Sequence, residues 1–301
     1  MTASQLVAHS ISRTVWELVV RGAGTARVEA VFRNACALRT SGGEAIGLVL
    51  GEGRDGPLNV VVHAAAETLS ALEPGMPVRM DFGQLQVGPL QIDLRPAFLW
   101  EARPDWEGVR ACAPGSSTGY TSLQDLALQS APAGTLLTLL EAPPGRVGQR
   151  KVTTDSTGSR ILGVARTAFG PMAAGWRGGF DSLRAGAAQM AGLGGGLAPA
   201  GDDFIVGVML AAWLLHPRPG ELCGVAVQAA VQRTSWLSAA FLRAAARGEC
   251  GLAWHQLLAA LCGSDEGDLA RAVQLLMCRG ATFGADALAG FLWAGLVDAQ
   301  S

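Results

Sequence analysis

The residues best suited to chemistry lie in a glycine-rich stretch, residues 192–204, which reads GLGGGLAPAGDDF. Glycine tolerates positive φ and has no Cβ, so backbone N–H groups there can converge on a small anion. The candidate N–H donors are Gly194, Gly195, Gly196 and Gly201. Asp202 and Asp203 follow at the start of a predicted helix, where the helix dipole favours negative charge. The stretch predicts either a ligand site or a tight turn whose aspartates cap the helix.

This stretch does not match the common nucleotide-binding loops. The third glycine of the dinucleotide-binding fingerprint is missing. The spacing from Gly196 to Gly201 fits a P-loop, but aspartates stand where that loop needs lysine and a hydroxyl residue. A phosphate beside these carboxylates needs a bridging cation or arginine, whereas an amino group would suit them directly. The pattern excludes a P-loop NTPase and leaves capping and ligand binding open.

A second segment repeats the pattern of the first. Residues 201–207 and 284–290 both read glycine, any residue, aspartate, three apolar residues and glycine. The second glycine lies four residues after the aspartate and therefore on the same helix face, where it can admit a ligand or let two helices touch. We hypothesise that Asp203 and Asp286 lie at related helix N-termini and face a shared site. The catalytic candidates are Asp202, Asp203 and Asp286.

Other candidates lie between and beside these aspartates. Thr234 and Ser235 form a helix junction whose hydroxyls can cap a helix or contact a ligand. Arg233 is the nearest candidate cation for an anionic substrate, and Thr282 and Gly284 complete the candidate binding residues. The four histidines have no metal-ligand spacing, so no metal site is predicted and the cofactor is left unassigned.

Composition limits the partners and the compartment. Charged residues make up 16% of the 301 residues, against a usual share of about 25%, which indicates much buried surface. A formal charge of −2 gives no electrostatic basis for binding nucleic acid or an acidic membrane. No signal peptide is expected in residues 1–10, and the apolar runs fall short of the ~20 residues that cross a bilayer. Six scattered cysteines without a C-x-x-C pair are expected to be free thiols in a reducing cytoplasm.

The predicted elements give an α+β fold with a β-rich, barrel- or sandwich-like domain over residues 1–105 and a mainly helical domain over 106–301. Period-2 alternation and Gly/Pro punctuation predict strands over residues 14–20, 27–32, 36–40, 45–50, 59–63, 78–82 and 90–94. A loop is predicted over 142–159. Helices are predicted over 121–130, 135–140, 161–168, 180–191, 202–215, 221–233, 235–245, 252–261, 265–278 and 284–298. Helix N-caps are expected at Thr234, Ser264 and Thr282, and helix C-caps at Gly248 and Gly280.

Taken in order, these motifs resemble the AllH-type family. The glycine-rich segment of that family reads GxGxGLTPSGDDF, which residues 192–204 match at most positions. A Thr-Ser junction and a GxTSGxD element follow in the family, and residues 234–235 and 280–286 correspond to them. Residues 24–50 also look like the family's strand pattern. The similarity spans nearly the whole chain.

The resemblance implies a subunit of a heteromeric carbamoyltransferase. The named member of the family belongs to oxamate carbamoyltransferase of allantoin breakdown, which interconverts oxalurate and phosphate with oxamate and carbamoyl phosphate. Other carbamoyltransferase subunits are then expected as partners, with a small anionic substrate. Three hydroxyl residues of the family motifs are replaced here, by Ala198, Ala200 and Phe283.

Those three replacements keep two other functions open. One alternative is a non-catalytic scaffold or regulatory subunit with a degenerate anion pocket. The other is a hydrolase that uses the aspartates on a metal, against which stands the lack of further clustered acids or histidines.

Overall fold

A computed structural model of the chain describes residues 4–20, 24–112, 117–140, 156–263, 265–280 and 282–300. Its contacts divide the chain into two compact units. The first contains Met1–Pro104 and Glu249–Leu252, and the second contains Asp105–Gly248 and Ala253–Ser301. Of the loop predicted over 142–159, residues 142–155 lie outside the described residues. Residues 156–159 form the start of a helix and not a loop.

The first unit contains a closed β-barrel. Its strands are β1 (Ser4–Ser12), β2 (Gly24–Phe32), β3 (Ala35–Thr40), β4 (Ala45–Leu50), β5 (Asn59–Val62), β6 (Pro77–Asp81), β7 (Gln84–Val87), β8 (Leu90–Asp93) and β9 (Phe98–Trp100). Their order is β5-β4-β3-β2-β6-β7-β8-β1-β9, and a further pairing of β1 with β5 closes eight of them into a ring. The sheet is mixed, because β1 runs parallel to β8 and β9, and β4 runs parallel to β5.

Alternating burial along the strands forms the core of the barrel. In β6, for example, Val78 and Met80 are buried while the residues between and beside them are exposed. The hairpin predicted at Gly42 and Gly43 is confirmed, since β3 and β4 pair antiparallel and Gly43 has a φ of 89°. The β-rich first half is thus a barrel, and the predicted order of β-rich and helical halves is confirmed.

The strand predicted over residues 14–20 is wrong, because this segment is helix α1 (Arg13–Val20). Ser12 ends β1 and its Oγ accepts a hydrogen bond from the N–H of Val15 at 3.2 Å, which is the bond of a helix N-cap. Val15 and Val19, one turn apart, are both fully buried. Burial of this helical stripe outweighs the β-propensity of the valines.

The second half of the chain is mostly helical, as predicted. Its described helices are α2 (Trp106–Cys112), α3 (Ser117–Gln129), α4 (Ser156–Trp176), α5 (Phe180–Met190), α6 (Ala200–Leu215), α7 (Pro219–Ala230), α8 (Trp236–Ala246), α9 (Leu252–Cys262), α10 (Glu266–Met277) and α11 (Phe283–Asp298). Short 3₁₀ turns occur at Ala66–Ala71 and Leu136–Leu139, the second replacing the helix predicted over 135–140. Among the described helices, none combines the length and apolarity that a membrane crossing needs.

Helices α6 and α11 cross with their backbones in contact, through one glycine on each. A Cβ added at Gly207 would overlap the carbonyl oxygen of Ala287 and lie 2.8 Å from the N atom of Phe291. A Cβ added at Gly290 would overlap the carbonyl oxygen of Phe204. Of the two uses that the sequence left open for these glycines, the structure shows the close contact of two helices.

The expectation that all six cysteines are free is also wrong. Cys112 at the end of α2 and Cys262 at the end of α9 form a disulfide, with Cα atoms 5.2 Å apart. The two cysteines are 150 residues apart in the sequence, so no local spacing predicts that they form a disulfide. The other cysteines are free: Cys36, Cys223 and Cys250 are buried and Cys278 is exposed.

Candidate functional site

The glycine-rich loop joins the end of α5 to the start of α6 and needs glycine at three positions. Gly192, Gly194 and Gly196 have φ values of 72°, 121° and 82°, a region that residues with a Cβ rarely adopt. A Cβ at Gly192 would also overlap the carbonyl oxygen of Arg233. The loop therefore folds tightly against the junction between α7 and α8.

The tip of this loop presents backbone N–H groups to solvent. Gly194, Gly195 and Gly196 are exposed, and their N–H groups donate to no acceptor in the part of the chain that the structure describes. Gly201 differs, because its N–H donates to the carbonyl oxygen of Leu193 at 2.9 Å. In this structure the N–H of Gly201 is thus used within the loop, and the glycine allows close packing against the carbonyl oxygen of Met190.

Asp202 ties the loop to helix α8. This residue is fully buried, and its Oδ1 accepts a hydrogen bond from the N–H of Gly192 at 2.9 Å. Its Oδ2 accepts from the hydroxyls of Thr234 and Ser238, the latter at 2.8 Å. Pro199 is the N-cap residue of α6 and provides no side-chain cap. Asp202 therefore does not cap its own helix, and in this structure its carboxylate is occupied by these three donors. Its catalytic role stays a prediction.

The helix junction contributes one cap and one exposed cation. Ser235 caps α8, since its Oγ accepts from the N–H of Ser238 at 3.0 Å and donates to the carbonyl oxygen of Leu197 at 2.6 Å. The N-cap expected at Thr234 is therefore one residue off, and that hydroxyl donates to Asp202. Arg233 is exposed, and within the described ranges its guanidinium forms no ion pair.

Asp203 and Asp286 occupy matched positions on the two crossing helices. Each is the fourth residue of its helix, and each is followed after four residues by the glycine of the crossing. They are 2% and 1% exposed. The Oδ1 of Asp286 accepts from the N–H of Leu136 at 2.7 Å, whereas the Oδ2 atoms of both aspartates lack a hydrogen-bond partner among the described residues.

Burial changes the protonation of this pair. Burial raises the pKa of Asp203 to about 9, and the charges of Asp286 and Asp202 add to the effect. Burial also raises the pKa of Asp286, while hydrogen bonds from the Leu136 N–H and the Thr282 hydroxyl lower it. Burial has the larger effect, and the pKa is about 6. At neutral pH the pair therefore holds one proton and one negative charge, with the proton on Asp203.

Two family models match the chain. The model described as oxamate carbamoyltransferase subunit AllH matches residues 190–295, and the AllH family N-terminal domain matches residues 7–99. Together these ranges span about two thirds of the chain. The chain belongs to the AllH family. Neither the curated proteins nor the solved structures gave a match.

Membership of the AllH family identifies the chain as a subunit of oxamate carbamoyltransferase, with a role in allantoin catabolism. A subunit implies other subunits. The first match begins at the last residue of α5 and ends in α11, so it contains the glycine-rich loop, Asp203 and Asp286. The part of the AllH chain that matches the carbamoyltransferase subunit model is therefore the part that carries the candidate site.

Two further candidates of the AllH site lie at the start of α11. Thr282 lies at the predicted N-cap position of this helix and is exposed, but its side chain makes no capping hydrogen bond. The N–H of Gly284 donates to the carbonyl oxygen of Arg279 at 3.1 Å, and a Cβ here would overlap the carbonyl oxygen of Leu276. Gly284 therefore packs α11 against α10, and in this structure its N–H bonds within the chain, while its binding role stays a prediction.

Sequence reasoning missed two residues that contact the aspartates. Leu136 acts through its backbone N–H, so its side chain carries no signal of the contact with Asp286. Ser238 follows Ser235 at the three-residue spacing of a helix N-terminus, and that spacing was a usable signal. The N-cap expected at Ser264 lies outside the described residues, and Asp265 caps α10.

An open groove of about 520 Å³ lies elsewhere, between α9 and α10. Its lining includes Gln256, Asp265 and Arg271, and none of the predicted site residues. Among the described residues, no group of three or more histidine, cysteine, aspartate or glutamate side chains could hold a metal ion.

Replacing Asp202 with alanine is expected to lower the free energy of unfolding by about 2–4 kcal/mol, because two hydroxyls and one N–H lose a charged acceptor. Ser238→Ala is the matched control, since it removes one donor and leaves Asp202 with two, for a loss of about 1 kcal/mol. Urea denaturation measures both. Equal losses in the two variants would show that Asp202 does not hold this junction together.

Proposed function

We propose that this chain supplies a substrate-positioning site of a heteromeric oxamate carbamoyltransferase, which interconverts oxalurate and phosphate with oxamate and carbamoyl phosphate. The observation that carries the proposal is the pair of unpartnered Oδ2 atoms on Asp203 and Asp286. A buried carboxyl oxygen without a hydrogen bond costs free energy, so folded proteins contain few of them. Two at matched positions of crossing helices indicate acceptors kept for a ligand.

The two parts of the site suit the two ends of one substrate. Carbamoyl phosphate and oxamate each carry an amide NH₂ at one end and an anionic group at the other. The NH₂ end fits Asp286, which is ionised at neutral pH, and Asp203, which holds a proton. The anionic end fits the solvent-facing N–H groups of Gly194, Gly195 and Gly196.

Access to the aspartates requires one segment to move. The carboxyl of Asp286 is covered by Leu136, which is itself fully buried and opens a 3₁₀ turn. We propose that binding of the other subunits displaces this turn, and that the substrate then reaches the aspartates. Turns of this kind open more readily than the helices they connect.

Direct transfer is the chemistry that these residues support. The hydroxyls of Thr234 and Ser238 already donate to Asp202, so we propose that no covalent intermediate forms on them and that an oxygen of hydrogen phosphate attacks the carbamoyl carbon of oxalurate directly. The bond from that carbon to the oxamate nitrogen breaks, the nitrogen takes up the proton that the hydrogen phosphate gives up, and the two substrates react because they are held in place. Preorganised N–H groups of the loop stabilise the oxyanion that develops on the carbamoyl group.

A non-catalytic role is the second candidate. Ala198, Ala200 and Phe283 lack the hydroxyls that the family motif has at these positions, and both aspartates are buried. In that case the chain holds the other subunits together or regulates them. For either role we propose that the protein is cytoplasmic. Four of the six cysteines are free thiols, which is typical of a reducing compartment.

The deciding experiment is a thermal-shift assay on the chain assembled with its partner subunits. Carbamoyl phosphate or oxamate, near 100 times its Kd, is expected to add about 2.7 kcal/mol to the stability of the assembly. Phosphate and Mg²⁺ are tested separately. Asp286→Asn should abolish the shift and keep the fold, whereas Asp181→Asn, an exposed residue of α5, should leave the shift intact. The absence of a shift with every ligand would leave only the scaffold role.

A further inference from the structure

Helix α2 is short and is held to neighbouring segments near its start and at its end. At its start, Trp106 donates from Nε1 to the carbonyl oxygen of Gly248 at 2.9 Å. Arg110 donates from Nε to the carbonyl oxygen of Trp213 at 2.7 Å, near the end of α6. At its own end, Cys112 forms the disulfide to Cys262 of α9. The disulfide is the only covalent one of these attachments.

This disulfide lies where an external thiol can reach it. Cys112 is exposed and Cys262 is half-buried. The carbonyl oxygen of Val109 lies 3.5 Å from the Sγ of Cys112 and 3.9 Å from the Sγ of Cys262. An acceptor is therefore already in place for the thiols that reduction would produce.

Three of the four remaining cysteines are buried and do not compete for the same chemistry. Cys223 in the same unit is buried, and burial raises the pKa of its thiol to about 12. Burial likewise raises the pKa of Cys36 to about 12 and that of Cys250 further. Because only thiolates attack disulfides, these three thiols are inert at neutral pH.

We propose that Cys112–Cys262 is a thiol–disulfide exchange site that fixes α2 to α9 when oxidised and releases it when a dithiol reductant is present. In the reducing compartment proposed above, disulfides are usually transient or redox-sensing. The inference stands whether the aspartate site is catalytic or not, because it uses none of those residues.

The exchange balances with a dithiol as the only co-reactant. A thiolate of the dithiol attacks the exposed Sγ of Cys112, the bond between the sulfurs breaks, and Cys262 leaves as a thiolate that takes up a proton. The second thiol of the reductant attacks the mixed disulfide and releases Cys112, which also gains a proton. The electron pair comes from the dithiol, which becomes a cyclic disulfide, and oxidised glutathione restores the bridge in the reverse direction.

The test compares the oxidised and reduced chain. When the oxidised chain is unfolded in urea, four cysteines should react with iodoacetamide, and dithiothreitol treatment before unfolding should return the number to six. Reduction should lower the thermal midpoint by about 5–15 °C, as expected for a bridge that closes a long loop. It should also speed tryptic cleavage after Arg110 at least tenfold, because that side chain is held only while α2 is docked.

Two variants separate the bridge from general effects of reductant. The double variant C112S/C262S should match the reduced parent and should not respond to dithiothreitol. C278S, which removes an exposed free thiol, should respond as the parent does. Six reactive cysteines after oxidation, or equal cleavage rates after Arg110 in both states of the parent, would overturn the proposal. The parent comparison decides the matter even if the double variant does not fold.

Discussion

Replacing Gly207 with alanine is expected to lower the free energy of unfolding of the helical unit by more than about 3 kcal/mol. The added Cβ would overlap the carbonyl oxygen of Ala287 and lie 2.7 Å from its carbonyl carbon. Both atoms belong to the backbone of α11, so no side chain can rotate away and the two helices must separate. Urea denaturation followed by circular dichroism measures the loss.

Gly290→Ala should reproduce this loss, because its Cβ would overlap the carbonyl oxygen of Phe204 from the opposite side of the crossing. Gly224→Ala in α7 is the matched control, since nothing lies within 4 Å of a Cβ there. That variant should be neutral or more stable by up to about 1 kcal/mol, as helix propensity predicts. Similar losses in the control and in Gly207→Ala would mean that the crossing is not the cause.

Replacing Asp203 with asparagine is expected to raise the stability of the protein at pH 8, by on the order of 5 °C in thermal midpoint, while weakening substrate binding. Burial raises the pKa of Asp203 to about 9, above its ordinary value near 4 in the unfolded chain. Between these values the folded state holds one more proton than the unfolded state. The stability of the parent therefore falls as pH rises from about 4 to about 9, and asparagine removes this contribution.

The measurement is a set of thermal melts from pH 5 to pH 9 with and without oxamate on the assembled enzyme. The stability margin of Asp203→Asn over the parent should grow with pH. Asp181→Asn, on an exposed site, should show no such growth. If Asp203→Asn instead lowers the midpoint at every pH and leaves the oxamate shift unchanged, this aspartate has a purely structural role.

Local patterns predicted the elements whose partners are close in sequence. The hairpin of β3 and β4 was found because the turn and both strands lie within a few residues of one another. Strand β1 was missed because its three serines and one alanine have weak β-propensity and its partners β5, β8 and β9 lie far along the chain. Helix α1 was assigned as a strand because its valines suit either element until their burial is known.

The same limit applies to the candidate site. The repeat of glycine and aspartate correctly indicated that Asp203 and Asp286 occupy equivalent helix positions. It did not reveal whether the glycines would contact a ligand or a neighbouring helix, because the space left by a missing Cβ can be filled by either. The contacts of Asp202 with Thr234 and Ser238, and the disulfide at Cys112, arise from segments that only the tertiary structure brings together.

The position of β1 in the barrel has a consequence for synthesis in the cell. Ile11 pairs with Val60, and Leu6 pairs with Ile92, so the partners of β1 follow it by roughly 50 and 85 residues. At a translation rate of about 5–20 residues per second, β1 waits on the order of 4 seconds or longer for β8 to be synthesised. The first strand of the barrel to be synthesised is therefore among the last to be fully paired, and chaperones that bind nascent apolar segments would find Ala8 and Ile11 accessible during that interval.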